Sequence, residues 1–241
     1  MYMPEFDNTK YDLPSDQANN QLLNKLRAAV LGANDGIVSV SSVVMGVAGA
    51  TSDTKAITIA GLAALIAGAL SMAVGEYVSV SSQSDAEKAY IELEKEDLAQ
   101  NPDHELDELA REYVKLGLSR KTADAVANEL TKKDALAAHL HVHFNLDPND
   151  INNPWQAAIA SFLAFSAGGL VPFVTIVFVP QQWRIQVTVI AVLLALFSVG
   201  FISAKVGNAN KPRAIARVVA GGMAAMVITY YVGVLFGTTV G

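Results

Sequence analysis

The chain has 241 residues, 52% of them hydrophobic, a mean hydropathy of +0.33 and a formal charge of −6. That apolar share exceeds the soluble norm of about 45–50% and comes in blocks, which excludes an ordinary water-soluble globule. The acidic balance argues against a nucleic-acid partner, whose phosphates need clustered Lys and Arg. With no cysteine, disulfides and thiolate metal sites are excluded too.

Residues 1–27 are polar and carry Glu5, Asp7, Asp12 and Asp16, unlike the basic-then-apolar layout of a cleaved signal peptide, and are expected to remain as a cytoplasmic N-terminal segment. Five apolar stretches then reach the roughly 20 residues needed to cross a bilayer: Ala28–Ala50, Ile57–Ser82, Trp155–Pro180, Ile185–Ala204 and Ala214–Phe236. Inside them only Asp35, Glu76 and Arg217 are charged, and Arg217 lies near enough to a helix end to snorkel. The predicted fold is an all-α membrane protein: five transmembrane helices with a cytoplasmic three-helix insert between spans 2 and 3. The expected domains are residues 1–27, spans 1 and 2 at 28–82, a metal-binding helical domain at 83–153, and spans 3 to 5 at 154–241.

Lys and Arg near the span ends set the orientation. Fifteen fall on the side of the N-terminus, the insert and the link between spans 4 and 5, against Lys55 and Arg184 on the other. The N-terminus and insert are therefore placed in the cytoplasm. At 1.5 Å per residue, Asp35 and Glu76 then lie roughly 10 Å and 9 Å inside the bilayer, and Met72 roughly 15 Å. The short Thr51–Ala56 link makes spans 1 and 2 antiparallel neighbours.

A carboxylate inside a membrane costs several kcal/mol and is kept for a task such as ion binding or proton relay. Met72, four residues before Glu76, shares its helix face. A thioether beside carboxylates suits a divalent transition metal better than Mg²⁺ or Ca²⁺. Small residues, among them Gly32, Gly36, Gly46 and Gly49 in span 1, predict close helix packing within a protomer or across a dimer. The polar triplet Asn34-Asp35-Gly36 predicts locally irregular backbone lining a cavity, and Gly168-Gly169 with Pro172 permit a kink in span 3.

Residues 83–153 hold 16 acidic and eight basic residues and all four histidines. Span 2 can continue as a helix through Asp85–Gln100. Asn101-Pro102 starts a second helix to about Leu116, ended by Gly117. Ser119 caps a third through about Asn145, stopped by Asp147-Pro148. Glu94 and Asp97 share a face of the first helix; Glu105, Glu108 and Glu112 follow spacings of three and four on the second. Carboxylates stacked this way repel, and a bound cation relieves the repulsion, although a solvated acidic face has the same pattern. His139 and His143 form an i,i+4 pair suited to a metal, while His141 points elsewhere. His104, beside Glu105, either joins the ligands or is simply exposed. No P-loop lysine motif, G-x-S-x-G, H-E-x-x-H or Glu-x-x-His pair occurs, so the chain is not read as an enzyme.

Four runs, AAVLGANDGIVSVSSVVMGVAGA, AGLAALIAGALSMAVGEYVSVSSQSDAE, GGLVPF and SAKVGNANKPRAIARVVAGGMAA, resemble the vacuolar iron transporter family in its bacterial-type form. The resemblance implies a homodimer of five-span protomers that moves Fe²⁺, often also Mn²⁺, out of the cytosol in exchange for protons. It also implies a pore at the dimer interface and a cytosolic metal-binding domain between spans 2 and 3. By position it makes Asp35 and Met72 pore ligands with Glu76 beside them, and Glu94, Asp97, Glu105 and Glu108 metal ligands of the insert, with Asp97 in place of the more usual glutamate. The third insert helix departs. His139, Leu140 and His143 stand where relatives supply methionine and glutamates, which leaves metal number and selectivity in that domain open, toward borderline ions such as Zn²⁺ or Co²⁺.

No permanently bound cofactor is expected; the divalent metal is substrate. Expected partners are membrane lipid, a second copy of the chain, divalent metal ions and protons. The expected location is the plasma membrane, or the vacuolar membrane in a eukaryote. A reading from a different class is a membrane-anchored metal buffer or sensor, which binds metal in the insert without flux.

Overall fold

The computed structural model describes residues 16–146 and 153–240. The expected N-terminal segment is therefore described only from Asp16, and the predicted helix stop at Asp147-Pro148 lies outside the described residues. Among them the structure is all helical: α1 (Asp16–Ala50), α2 (Thr54–Gln100), α3 (Pro102–Lys115), α4 (Arg120–Phe144), α5 (Pro154–Phe178), α6 (Arg184–Val206) and α7 (Lys211–Val240). Five carry stretches long and apolar enough to cross a membrane, namely α1 from Arg27, α2, α5, α6 and α7 to Gly237. The short helices α3 and α4 fall between the second and third of these. The chain divides into two compact units, one within Met1–Tyr77 and Trp155–Gly241, the other within Val78–Pro154.

The first unit is built around α1. Ile37, Val40 and Val44 of α1 are sealed against Phe165 and Ile176 of α5, Val192 and Leu196 of α6, and Met226 of α7. Lipid is as apolar as leucine, so such helices are held by close van der Waals packing, which needs small residues at the crossings. A methyl group on Gly36 would overlap the Phe165 carbonyl of α5, and one on Gly233 of α7 would overlap the Gly46 carbonyl of α1. On the outside of α2, Leu62, Ile66, Leu70 and Val74 recur every fourth residue and remain 44–61% exposed. A ridge of that kind is the ordinary outer surface of a helix in lipid and an aggregation hazard in water.

One expectation for the spans is corrected. Asn34-Asp35-Gly36 is helical, with α1 unbroken from Asp16 to Ala50. In hydrocarbon every backbone group must be bonded internally, which outweighs the turn preference of this triplet; Gly36 serves close packing, and Asp35 accepts a 2.6 Å hydrogen bond from Ser39 Oγ on the next turn. In α5 the helix runs on through Gly168, Gly169 and Pro172. The Thr175 hydroxyl donates to the carbonyls of Val171 and Pro172 at 2.9 and 3.1 Å, supplying a donor beside the proline.

The second unit holds α3 and α4 together through Leu109, Ala110, Ala123 and Ala127. Asn101 occupies the cap position of α3 with proline following, but its side chain makes no cap bond. The Ser119 hydroxyl caps α4 by accepting from Thr122 N, and Arg120 bonds Asp107 of α3, holding that carboxyl below its usual range. The third insert helix differs from the single run expected. It breaks at Asp134, whose backbone is extended (φ −166°, ψ 96°) and whose Oδ1 accepts from Ala137 N at 2.9 Å, an N-cap for a second helical piece. That piece carries the histidines and ends at Asn145, which adopts a left-handed conformation (φ 51°).

Gly36→Ala is expected to destabilise the protein by about 1–3 kcal/mol through overpacking against rigid backbone. Gly75→Ala, where an added methyl meets nothing within 4 Å, should leave the melting temperature near that of the wild type. Thermal melts of both variants in detergent check the contrast.

Candidate metal centre

Three helical pieces of the second unit bring their ligand atoms together. The α2 extension supplies Glu94, α3 supplies Glu105 and the last part of α4 supplies His139; their ligand atoms lie within 4.8 Å of one another. All three are buried, at 6%, 7% and 0% exposure. His139 Nδ1 lies 2.8 Å from Glu94 Oε1 and 3.7 Å from Glu105 Oε2. Despite that proximity, both ring nitrogens of His139 and Oε1 of Glu94 lack a hydrogen-bond partner: the atoms are close, but not aligned as donor and acceptor.

Buried polar atoms are normally satisfied, and two carboxylates sealed side by side repel. A divalent cation removes both penalties at once, accepting the lone pairs and cancelling the charge. Burial pushes the Glu94 carboxyl up from its ordinary value, an effect opposed by His139 and His143. Metal binding and protonation therefore compete for that oxygen.

A second, more exposed group adjoins the first. His104, Glu105 and Glu108 of α3 also offer ligand atoms within 4.8 Å of one another, with His104 Nδ1 3.2 Å from Glu105 Oε1 and 3.9 Å from Glu108 Oε2. Glu105 thus turns one oxygen to each group, the arrangement of a carboxylate able to bridge two ions. His143 stacks on His139 with ring centroids 5.5 Å apart, and its Nδ1 stands 4.0 Å from Glu108 Oε1 while its Nε2 is buried without a partner.

The other predicted ligands are not members of these groups. Asp97 is half-buried on α2. Glu112 pairs with Lys115 at 2.5 Å, and that hydrogen bond holds its carboxyl below the usual range. In the first unit, Asp35 on α1 is bonded by Ser39, Met72 on α2 packs against the apolar core, and Glu76 is half-buried one turn further along. His104 joins a cluster that its spacing left open. The break at Asp134 was readable only as a capping residue ahead of Ala-Leu-Ala within a continuous helical pattern.

Five long apolar helices define a multi-pass membrane protein, and the helical unit between the second and third gathers buried carboxylate and imidazole groups that could hold a metal ion. Residues 26–234 match the VIT family model, and the chain belongs to that family. It is 42% identical over 214 residues to the vacuolar iron transporter of Acanthamoeba castellanii, covering 88% of this chain and 79% of that protein. It is 38% identical over 213 residues to vacuolar iron transporter homolog 2 of Arabidopsis thaliana, covering 88% and 84%. To vacuolar iron transporter homolog 2 of Oryza sativa subsp. japonica it is 37% identical over 214 residues, covering 88% and 91%.

His139→Ala is expected to weaken Co²⁺ binding by the purified full chain about 100-fold or more, since even outer-shell changes cost 10–100-fold; the exposed His141→Ala should stay within about threefold of wild type. Isothermal titration calorimetry reads both. The raised pKa of Glu94 gives a second expectation, with a definite sign. A carboxyl whose folded pKa exceeds its unfolded value stabilises the fold below the unfolded value, and this contribution is lost as pH rises through the folded one. The stability of metal-free Glu94→Gln relative to wild type should therefore increase with pH above the ordinary carboxylate range, as measured by paired thermal melts across a pH series.

Proposed function

We propose that this protein exports divalent transition metal, Fe²⁺ and also Mn²⁺, from the cytosol in exchange for protons, working as a homodimer. The insert gathers ions on the cytoplasmic side, and Asp35, Met72 and Glu76 pass them through the spans. The observation that carries this reading is the sealed Glu94–Glu105–His139 group with its unsatisfied lone pairs, in a chain that also keeps a carboxylate on a spanning helix at Asp35. The names of the VIT relatives, vacuolar iron transporters, support iron as the substrate. Coupling follows from competition of metal and proton for the same carboxylates. The imidazoles widen the range of accepted ions toward Zn²⁺ and Co²⁺. We place this bacterial-type member in a plasma membrane, with its N-terminus and insert in the cytoplasm, as the excess of Lys and Arg on that side supports; in a eukaryotic cell the corresponding place is the vacuolar membrane.

One feature favours a second reading, a membrane-anchored metal buffer: both groups of three Glu and His ligands found among the described residues lie in the insert. Flux separates the two. In proteoliposomes with an imposed pH gradient, wild type should take up Fe²⁺, and Asp35→Asn and Met72→Ala should fall to the rate of empty vesicles while still binding metal at the insert. Wild-type uptake no faster than empty vesicles would establish the buffer, and undiminished uptake by both variants would remove those residues from the path.

A further inference from the structure

A groove of about 410 Å³ opens in the first unit between α1, α6 and α7, walled by Leu31, Val199, Val206 and Val218. Its size lies within the range of about 300–1,000 Å³ of small-molecule sites, and its apolar lining carries few polar groups. Two of those groups have no partner among the described residues. Asn34 Oδ1 is buried without a hydrogen bond, and among the described residues no carboxylate pairs with the exposed Arg27 guanidinium.

The charge that α6 and α7 carry at this end has one sign. No Asp or Glu follows Asp150 in the sequence, while Lys205, Lys211, Arg213 and Arg217 stand exposed about the turn from α6 to α7. Basic pockets between spanning helices attract anionic headgroups. A soluble anion would have no use for the valine walls, and a neutral lipid none for the guanidinium.

We propose that the groove holds one anionic glycerophospholipid. Arg27 takes the phosphate, since a guanidinium matches phosphate oxygens in two places. An acyl chain lies along Leu31, Val199, Val206 and Val218. Asn34, two helical turns below Arg27, serves the glycerol ester: ester oxygens only accept, so the amide presents its NH₂ there, its two orientations being nearly alike in shape. The site would tie α1, the central helix of the unit, to α6 and α7 at the end where its span begins.

Native mass spectrometry of the delipidated full chain tests this, with dioleoyl phosphatidylglycerol, dioleoyl phosphatidylcholine and inorganic phosphate as probes. Phosphatidylglycerol should be retained and phosphatidylcholine held at least about fivefold more weakly, the effect of one basic contact. Arg27→Gln should weaken phosphatidylglycerol about fivefold, and Leu31→Trp, at an exposed lining position, should block it. Lys55→Gln, at the start of α2 and outside the groove lining, should change nothing, and phosphate should not compete. Equal retention of both lipids, unchanged retention in both groove variants, an equal loss in Lys55→Gln, or displacement by phosphate would each overturn the proposal. So would a Leu31→Trp variant that splits a dimer while keeping its lipid, since the groove's occupant would then be a second copy.

Discussion

Two carboxylates and an imidazole buried together, with Glu94 Oε1 and both His139 ring nitrogens left without hydrogen bonds, are the constraint on which this structure turns. Glu94, Glu105 and His139 come from three helical pieces, and the His139 ring is fully buried. Like charges brought this close in a poorly solvated place would drive the helices apart or force protonation. The arrangement becomes favourable when a cation supplies the missing partner. The rest of the insert supports that geometry: Asp134 interrupts α4 and caps the piece that carries His139, and Asn145 ends it.

The first unit solves a different problem with different means. Its helices meet where glycine allows backbones to touch, at Gly36 against α5 and at Gly233 against α1, because lipid supplies no hydrophobic force to bring them together. This places α1, with Asp35, in the middle of the unit. Asp35 keeps its carboxylate half-exposed with one hydroxyl partner from Ser39, leaving acceptor capacity for an ion or a proton. The two units thus hold their carboxylates in different settings, one closed and beside an imidazole, the other single and within a spanning helix.

Much of the fold was legible because its signals are one-dimensional. Five apolar blocks, the Asn101-Pro102 start of α3 and the Ser119 cap of α4 all act within a few residues of themselves, and the helices fall where those residues put them. The errors came where a local preference lost to surroundings that a sequence does not display. Asn34-Asp35-Gly36 reads as a turn in water, yet apolar surroundings enforce a helix there. The candidate site was legible in residue type and helical face for Glu94, Glu105, Glu108, His139 and His143. Helical spacing could not tell which carboxylates would meet the histidines. Glu112 follows the same stripe as Glu105 and Glu108 but pairs with Lys115, whereas His104 reaches Glu105 and Glu108. The meeting of His139 with Glu94 and Glu105 depends on how α4, after its break, lies against α3 and the α2 extension.

Binding of a transition metal through the buried histidine and its neighbouring carboxylates would leave its mark in the coordination shell of the ion itself. X-ray absorption at the cobalt edge, on the Co²⁺-loaded full chain, addresses it most directly. Expected are nitrogen and oxygen neighbours at about 2.1 Å with the outer-shell scattering of an imidazole, and loss of that scattering in His139→Ala. A spectrum of hexa-aqua cobalt, the same for wild type and variant, would contradict it.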